Sequence, residues 1–196
     1  LTLRTFHIGG TASRIAEQSS IVAKRSGAVH FNNFDAVERP AEGLVAVGRN
    51  GEIELLDEQG RPRGGRYRVP YGAIVKVSEG QQLEGGAVLY EWDPYNNVIV
   101  TDKAGVLRFA DIVEDVTYRE ESDEATGLRH RVIVEHRDRT LSPHIEVVDQ
   151  AGNALSHYII PVGARLFVRD GDKVRTGDVL VKIPRERSKT RDITGG

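Results

Sequence analysis

The chain repeats itself, and the repeat limits what it can fold into. Val69-Pro70-Tyr71-Gly72-Ala73 returns as Ile160-Pro161-Val162-Gly163-Ala164, an offset of 91 residues. The match continues ungapped: Val77 with Val168, Gly80 with Gly171, Leu83 with Val174, Gly86 with Gly177, and Val88-Leu89 with Val179-Leu180. Upstream, Ile53-Glu54-Leu55-Leu56-Asp57 matches Ile145-Glu146-Val147-Val148-Asp149 at offset 92. Further back, Gly27-Ala28-Val29-His30-Phe31 resembles Gly105-Val106-Leu107-Arg108-Phe109 at offset 78. Shared turn chemistry among unrelated β domains does not produce an ungapped match through two turns and three strands. The chain is therefore two copies of one unit. The change of offset (92 against 78) puts about fourteen extra residues in the second copy. They are expected near Arg119 to Arg131, where Glu120-Glu121-Ser122-Asp123-Glu124 precedes Thr126-Gly127 and reads as a long polar hairpin.

Local signals within each copy are β. Ile53–Leu56, Ala73–Val77, Val98–Thr101, Arg131–Glu135, Ile145–Val148 and Val179–Ile183 are short runs rich in branched residues, which suit a pleated, half-buried surface. Asp57-Glu58-Gln59-Gly60, Ser78-Glu79-Gly80 and Asp170-Gly171-Asp172 punctuate them as turns. One helix is expected over Thr11–Lys24, although its apolar periodicity is poor. The predicted fold is mainly β: two tandem modules, residues 26–103 and 104–187, between short helical or disordered termini at 1–25 and 188–196.

Composition removes several functional classes. The net charge of −2 gives no general reason to expect nucleic-acid binding. There are no cysteines, so disulfides and thiolate metal sites are excluded. No apolar run approaches the ~20 residues that span a bilayer, and the first residues show no secretory pattern. A cytoplasmic setting without membrane contact is the expectation. The sequence also has no methionine, so it reads as a piece of a longer polypeptide.

Most candidate chemistry fails on spacing. Val168-x-x-Gly171-Asp172-x-Val174-x-x-Gly177-Asp178-x-Leu180 looks like the barrel-sandwich hybrid of biotinyl and lipoyl carrier domains. A carrier needs a modifiable lysine on the following hairpin, and the corresponding positions hold Arg187 and Asn96. Lys173 and Lys182 fall elsewhere. Asp170-Gly171-Asp172 begins like a calcium loop but continues with Arg175 and Val181 where glycine and glutamate are required. His30, His130, His136, His144 and His157 show no zinc-like spacing, so no metal ligands are assigned. The basic runs Arg61, Arg63, Arg66, Arg68 and Arg129, Arg131, Arg137, Arg139 read as solvated strand faces, or as a docking surface for an acidic partner. No P-loop or serine-nucleophile motif occurs.

The N-terminal decapeptide differs from the rest. Arg4 and His7 lie three apart and Leu3 and His7 four apart, spacings that share one side of a helix. Gly9-Gly10 then ends the helix or forms a hinge. Such a helix presents a guanidinium and an imidazole to an anionic ligand.

Leu1-Thr2-Leu3-Arg4-Thr5-Phe6-His7-Ile8-Gly9-Gly10 with Thr11-Ala12 closely resembles the first helix of the trigger loop in the β′ subunit of bacterial RNA polymerase. Thr190-Arg191-Asp192-Ile193-Thr194-Gly195-Gly196 resembles the start of that loop's return arm. The order of arm, duplicated β region and arm is similar to the trigger-loop insertion of many Gram-negative polymerases, built from two sandwich-barrel hybrid motifs. The resemblance implies that Leu3, where the family usually has methionine, packs on the incoming nucleotide's base. It implies that Arg4 reaches the triphosphate. It places His7 near the β-phosphate, as a general acid or as a positional and electrostatic catalyst. Gly9, Gly10, Gly195 and Gly196 become hinge positions. The implied role is modulation of nucleotide addition, pausing and transcript cleavage by the parent nucleotidyltransferase. The implied partners are the β subunit, the rest of β′ and a nucleoside triphosphate, with DNA and RNA bound by the parent. Catalytic magnesium is implied to be held by residues outside this chain. The isolated fragment is not expected to be catalytic, and the implied cellular place is the cytoplasm, at the nucleoid through the parent. The rival reading is a docking module for a transcription factor or another subunit, with no direct effect on catalysis.

Overall fold

The computed structural model describes residues 19–185. Among them there is no helix, and the chain divides between Pro94 and Tyr95 into two units. The first unit contains β1 (Ser20–Val22), β2 (Gly27–Asn32), β3 (Ala36–Arg39), β4 (Gly43–Ala46), β5 (Glu52–Leu56), β6 (Tyr67–Arg68), β7 (Ile74–Val75), β8 (Gln82–Leu83) and β9 (Val88–Glu91). The second contains β10 (Asn96–Val100), β11 (Gly105–Ala110), β12 (Tyr118–Ser122), β13 (Arg129–Ile133), β14 (His144–Val148), β15 (Ala154–Ile159), β16 (Arg165–Leu166), β17 (Lys173–Val174) and β18 (Val179–Pro184). The first unit has one sheet in the order β1-β9-β7-β4-β3 and another in the order β6-β5-β2-β8. The second unit has β10-β18-β16-β13-β12 and β15-β14-β11-β17. Each strand of the first unit has its counterpart nine strands later, in the same place in the same sheet. The duplication seen in sequence is thus a duplication of topology.

The cores correspond residue by residue. Val29, Ile53, Leu55, Val69, Ala73, Val75, Leu83 and Leu89 are buried together in the first unit. Leu107, Ile145, Val147, Ile160, Ala164, Leu166, Val174 and Leu180 occupy the matching places in the second. Two further positions trade volume: Ala46 and Tyr90 in the first core stand where the second has Ile133 and Val181. A core tolerates such exchanges when its total volume is kept. Tyr90 keeps its hydroxyl satisfied by donating to the Arg68 carbonyl at 2.6 Å. Each fully buried branched side chain contributes on the order of 1.5–3 kcal/mol, and the alternation along Glu52–Leu56 puts Ile53 and Leu55 on the core face.

Polar clamps are duplicated as well. The Lys24 amide donates to the Tyr67 hydroxyl at 3.0 Å, and the Asp102 amide donates to the Tyr158 hydroxyl at 3.0 Å. The Phe31 amide donates to Glu79 at 2.7 Å, and the Phe109 amide to Asp170 at 2.8 Å. Asp170 is thereby a turn residue, with Gly171 at φ 86° and Asp172 accepting from the Arg169 amide at 2.8 Å.

Three expectations need adjusting. The helix over Thr11–Lys24 does not form where the chain is described. Ser20–Val22 pairs antiparallel with β9 instead, because the open edge of β9 satisfies backbone groups that a short, poorly amphipathic helix would leave to water. Residues 95–100 pair with the second unit, through β10 against β18, rather than with the first. The extra residues of the second copy are not confined to one hairpin. The pair Ala36–Ala46 corresponds to Tyr118–Ile133, so the offset passes from 78 through 82 and 87 to 92. The added length is shared by the segment before β12, the β12–β13 hairpin and the segment between β13 and β14. The hairpin itself forms as read: Asp123 donates its amide to the Leu128 carbonyl at 2.8 Å, and Gly127 takes φ 70°.

Gly27 and Gly105 are required for close approach. A Cβ would lie 2.8 Å from the Leu56 carbonyl at the first and 2.4 Å from the Val148 carbonyl at the second. Gly105→Ala should therefore destabilise the second unit by about 1–3 kcal/mol through displaced backbone. Gly60→Ala, whose Cβ meets nothing within 4 Å, should cost only the strain of its φ of +77°, about 1 kcal/mol. Urea unfolding of the two variants measures the difference.

Candidate functional site

Antiparallel pairing puts side chains that are far apart in sequence into one row on a sheet face. Arg108 on β11 is directly opposite Glu146 on β14, and Glu146 is directly opposite His157 on β15. His144, two residues before Glu146, projects to the same face. Arg108 grips one carboxylate oxygen, Oε2, with Nε at 2.8 Å and Nη2 at 2.6 Å. The other oxygen, Oε1, faces His144 Nε2 and His157 Nδ1, each at 3.9 Å. The imidazoles stack with centroids 4.3 Å apart. His144 Nδ1 lies 2.7 Å from the Ser142 carbonyl, a contact it makes only as a donor, and Nε2 is the ring atom turned toward Glu146. The Arg108 hydrogen bond, against some desolvation, holds Glu146 below its ordinary pKa.

The same four positions in the first unit hold His30, Glu52, Glu54 and Arg66. There Arg66 lies between the two acids, with Nε 2.6 Å from Glu54 and Nη1 3.3 Å from Glu52. A hydrogen bond from Asn32 is the main cause that lowers the Glu54 pKa, followed by desolvation in the opposite sense and then Arg66. His30 turns away to Glu79, 2.8 Å from its Nδ1. One sheet face thus carries an acid–arginine cluster in one copy and a histidine–glutamate cluster in the other.

A second feature is the closure of each unit. The Trp92 amide donates to the Ser19 carbonyl at 2.8 Å, extending the β1–β9 pairing. The Arg185 amide donates to the Tyr95 carbonyl at 2.8 Å, extending the β10–β18 pairing. Ser19 and Arg185 are therefore each hydrogen-bonded to a residue of one short segment, Trp92-Asp93-Pro94-Tyr95.

The site residues expected from sequence, Leu3, Arg4, His7, Gly9, Gly10, Gly195 and Gly196, lie outside the described residues, as does Arg187. Asn96 sits within β10 opposite Pro184 rather than on a carrier hairpin. Lys182 lies over the Phe167 ring at 5.0 Å, and His130 stands 6.4 Å from the same ring. The basic runs are partly neutralised, Arg66 as above and Arg129 by Glu120 at 3.7 Å, while Arg131 keeps its charge and donates to the Val168 carbonyl. Sequence spacing missed the meeting of His144 with His157 because the two are joined across strands. The signal available was the repeat itself. Asp149–Gly152, read as a turn like Asp57–Gly60, joins the two strands, and a bulge between Val147 and Val148 that the turn does not announce then sets Glu146 opposite His157.

Among the described residues, the large exposed apolar side chains are unevenly divided. Val22 is in the first unit, while Tyr95, Val113, Val116, Leu128, Leu155, Ile159, Val162 and Phe167 are in the second. Leu128, His130, Leu166 and Phe167 line one groove between β13 and β16.

No protein-family model matches the chain. Along its whole length it is similar to the protein named DNA-directed RNA polymerase subunit beta' in three organisms. It is 44% identical over 209 aligned residues to that of Methylococcus capsulatus, 45% over 203 to that of Syntrophobacter fumaroxidans and 47% over 196 to that of Koribacter versatilis. Each alignment covers 100% of this chain, which spans only 14–15% of the length of these curated relatives.

A carboxylate whose folded pKa is lowered stabilises the fold above its unfolded pKa, and that contribution is lost as pH falls through the lowered folded value. Arg108→Met should move the Glu146 titration up toward the ordinary value of 4.5. The acid-side loss of stability should then begin at higher pH than in the parent chain. Carboxyl-carbon NMR titration, with thermal unfolding between pH 3 and 6 (roughly the carboxylate range), measures both.

Proposed function

Because this chain belongs, as one segment, to the β′ subunit family of bacterial DNA-directed RNA polymerases, we propose that it is the insertion carried by that subunit's trigger loop, with the loop's two arms at its ends. The observation that carries the reading is the sequence of the decapeptide Leu1–Gly10 together with Thr190–Gly196, which resemble the two arms of that loop, on either side of a duplicated β region. The closure of each unit supports it. In each unit the incoming and outgoing strands lie side by side, as a module inserted in a loop requires.

In this role the modules do not perform chemistry. The arms do: the Arg4 guanidinium matches triphosphate oxygens, Leu3 packs on the base, and His7 stands at the leaving β-phosphate as acid or electrostatic stabiliser. Gly9-Gly10 lets the arm refold. Magnesium would be held by β′ residues outside this chain. The modules act by differential contact with the polymerase body in the open and closed states of the loop. A difference of about 1.4 kcal/mol changes the ratio of states tenfold. The second module is the better candidate for that contact, since nearly all of the exposed apolar side chains in the described residues belong to it.

Deleting residues 12–189 from the intact polymerase should alter pause lifetimes and elongation rate while some polymerisation remains. Phe167→Ser with Leu128→Ser should shift pausing in the same direction to a smaller extent. His7→Ala in the intact enzyme should slow nucleotide addition by roughly 10²–10⁴-fold if it acts as a general acid. A smaller loss, nearly independent of pH, marks a positional role. Single-round elongation assays read all three. If pausing and elongation are unchanged by the deletion, coupling is refuted and the docking-module reading, tested by binding of the 196-residue chain to the other subunits, takes its place.

A further inference from the structure

We propose that His144, Glu146 and His157 form a binding site for a divalent transition-metal ion of the kind that prefers imidazole, with zinc as the reference case. One ligand atom from each lies within 4.8 Å of the others. A tetrahedral zinc with ligand bonds near 2.0–2.1 Å brings its ligands to about 3.3 Å apart. The 3.9 Å separations of Glu146 Oε1 from His144 Nε2 and His157 Nδ1 need to close by roughly half an ångström, and the stacked rings must turn so that both lone pairs face one ion, a movement of side-chain torsions in which His157 is on the edge strand β15. Two imidazoles and a carboxylate suit zinc, nickel, cobalt or copper rather than magnesium or calcium.

The surroundings of the three ligands fit the same chemistry. The Ser142 carbonyl engages His144 Nδ1 and leaves Nε2 as the ring atom that can ligate, as backbone carbonyls do around metal-bound histidines. Arg108 holds Oε2 and so directs Oε1 to the histidines. Arg108 Nη1 is itself anchored on the Gly152 carbonyl at 3.3 Å. Its charge, close to the ion, weakens the site without blocking it. The first unit supplies an internal comparison. At the matching positions the cation between the acidic groups is the Arg66 guanidinium, held by Glu52 and Glu54. The second unit has histidines in place of Glu52 and Arg66, which turns a self-neutralised cluster into a ligand set. This proposal does not depend on the trigger-loop reading.

The test titrates zinc ion into the 196-residue chain by calorimetry at neutral pH, with imidazole nitrogen NMR spectra recorded alongside. One equivalent should bind, releasing protons as pH is lowered toward 6, a general feature of histidine sites, and the His144 and His157 resonances should shift while His30 does not. Glu146→Gln should weaken binding about tenfold. The double variant His144→Glu, His157→Arg installs residues that the first unit already accommodates in this fold. It should stay folded by circular dichroism and lose the site. Absence of saturable binding by the parent chain overturns the proposal. So does unchanged affinity in the double variant, or shifts confined to other histidines.

Discussion

The pairing of first strand with last is the constraint on which the rest of this structure depends. In each unit the incoming strand, β1 or β10, lies antiparallel beside the outgoing one, β9 or β18. That pairing satisfies backbone groups of β9 and β18, lays Ile21 against one core and Ile99 against the other, and brings the two ends of each unit together. A unit built this way can be placed within a loop without forcing the loop's sides apart. Two such units in series need only a short link between them, and Trp92-Asp93-Pro94-Tyr95 is that link.

Much of the fold was legible because duplication doubles every signal. The glycines at 80 and 171 and at 86 and 177 stand at the same turns with positive φ, and the matched branched residues became matched core. What the sequence did not reveal follows from physics that acts across strands. Ser20–Val22 carries weak helical periodicity, and its conformation is decided by the edge of β9, some seventy residues away. The added length of the second copy could be counted but not located, since polar loops carry no register. The histidine–glutamate cluster was invisible to spacing rules written for single helices and hairpins, because Arg108, Glu146 and His157 meet only through two strand pairings. The arm residues Arg4 and His7 were read from motif alone and lie outside the described residues.

The two copies have kept their interior and diverged outside it. Backbone clamps persist with changed chemistry: Glu79 and Asp170 receive the same amide, and Tyr67 and Tyr158 the same kind of backbone donor. On the open sheet face, an arginine between two acids in the first unit stands against histidines around one acid in the second. Exposed apolar side chains follow the same asymmetry. One copy is a largely self-satisfied polar body, and the other carries the groups that can take up ligands or surfaces.

The clasp at Ser19 also places the chain's single tryptophan. Trp92 donates its amide there, its ring 5.8 Å from that of Tyr90 and partly packed on the first core. Indole emission responds to local solvent, so opening of this clasp would carry its own optical signal. The closure of the first module is in this sense already labelled, and its opening can be timed in solution without attaching a dye.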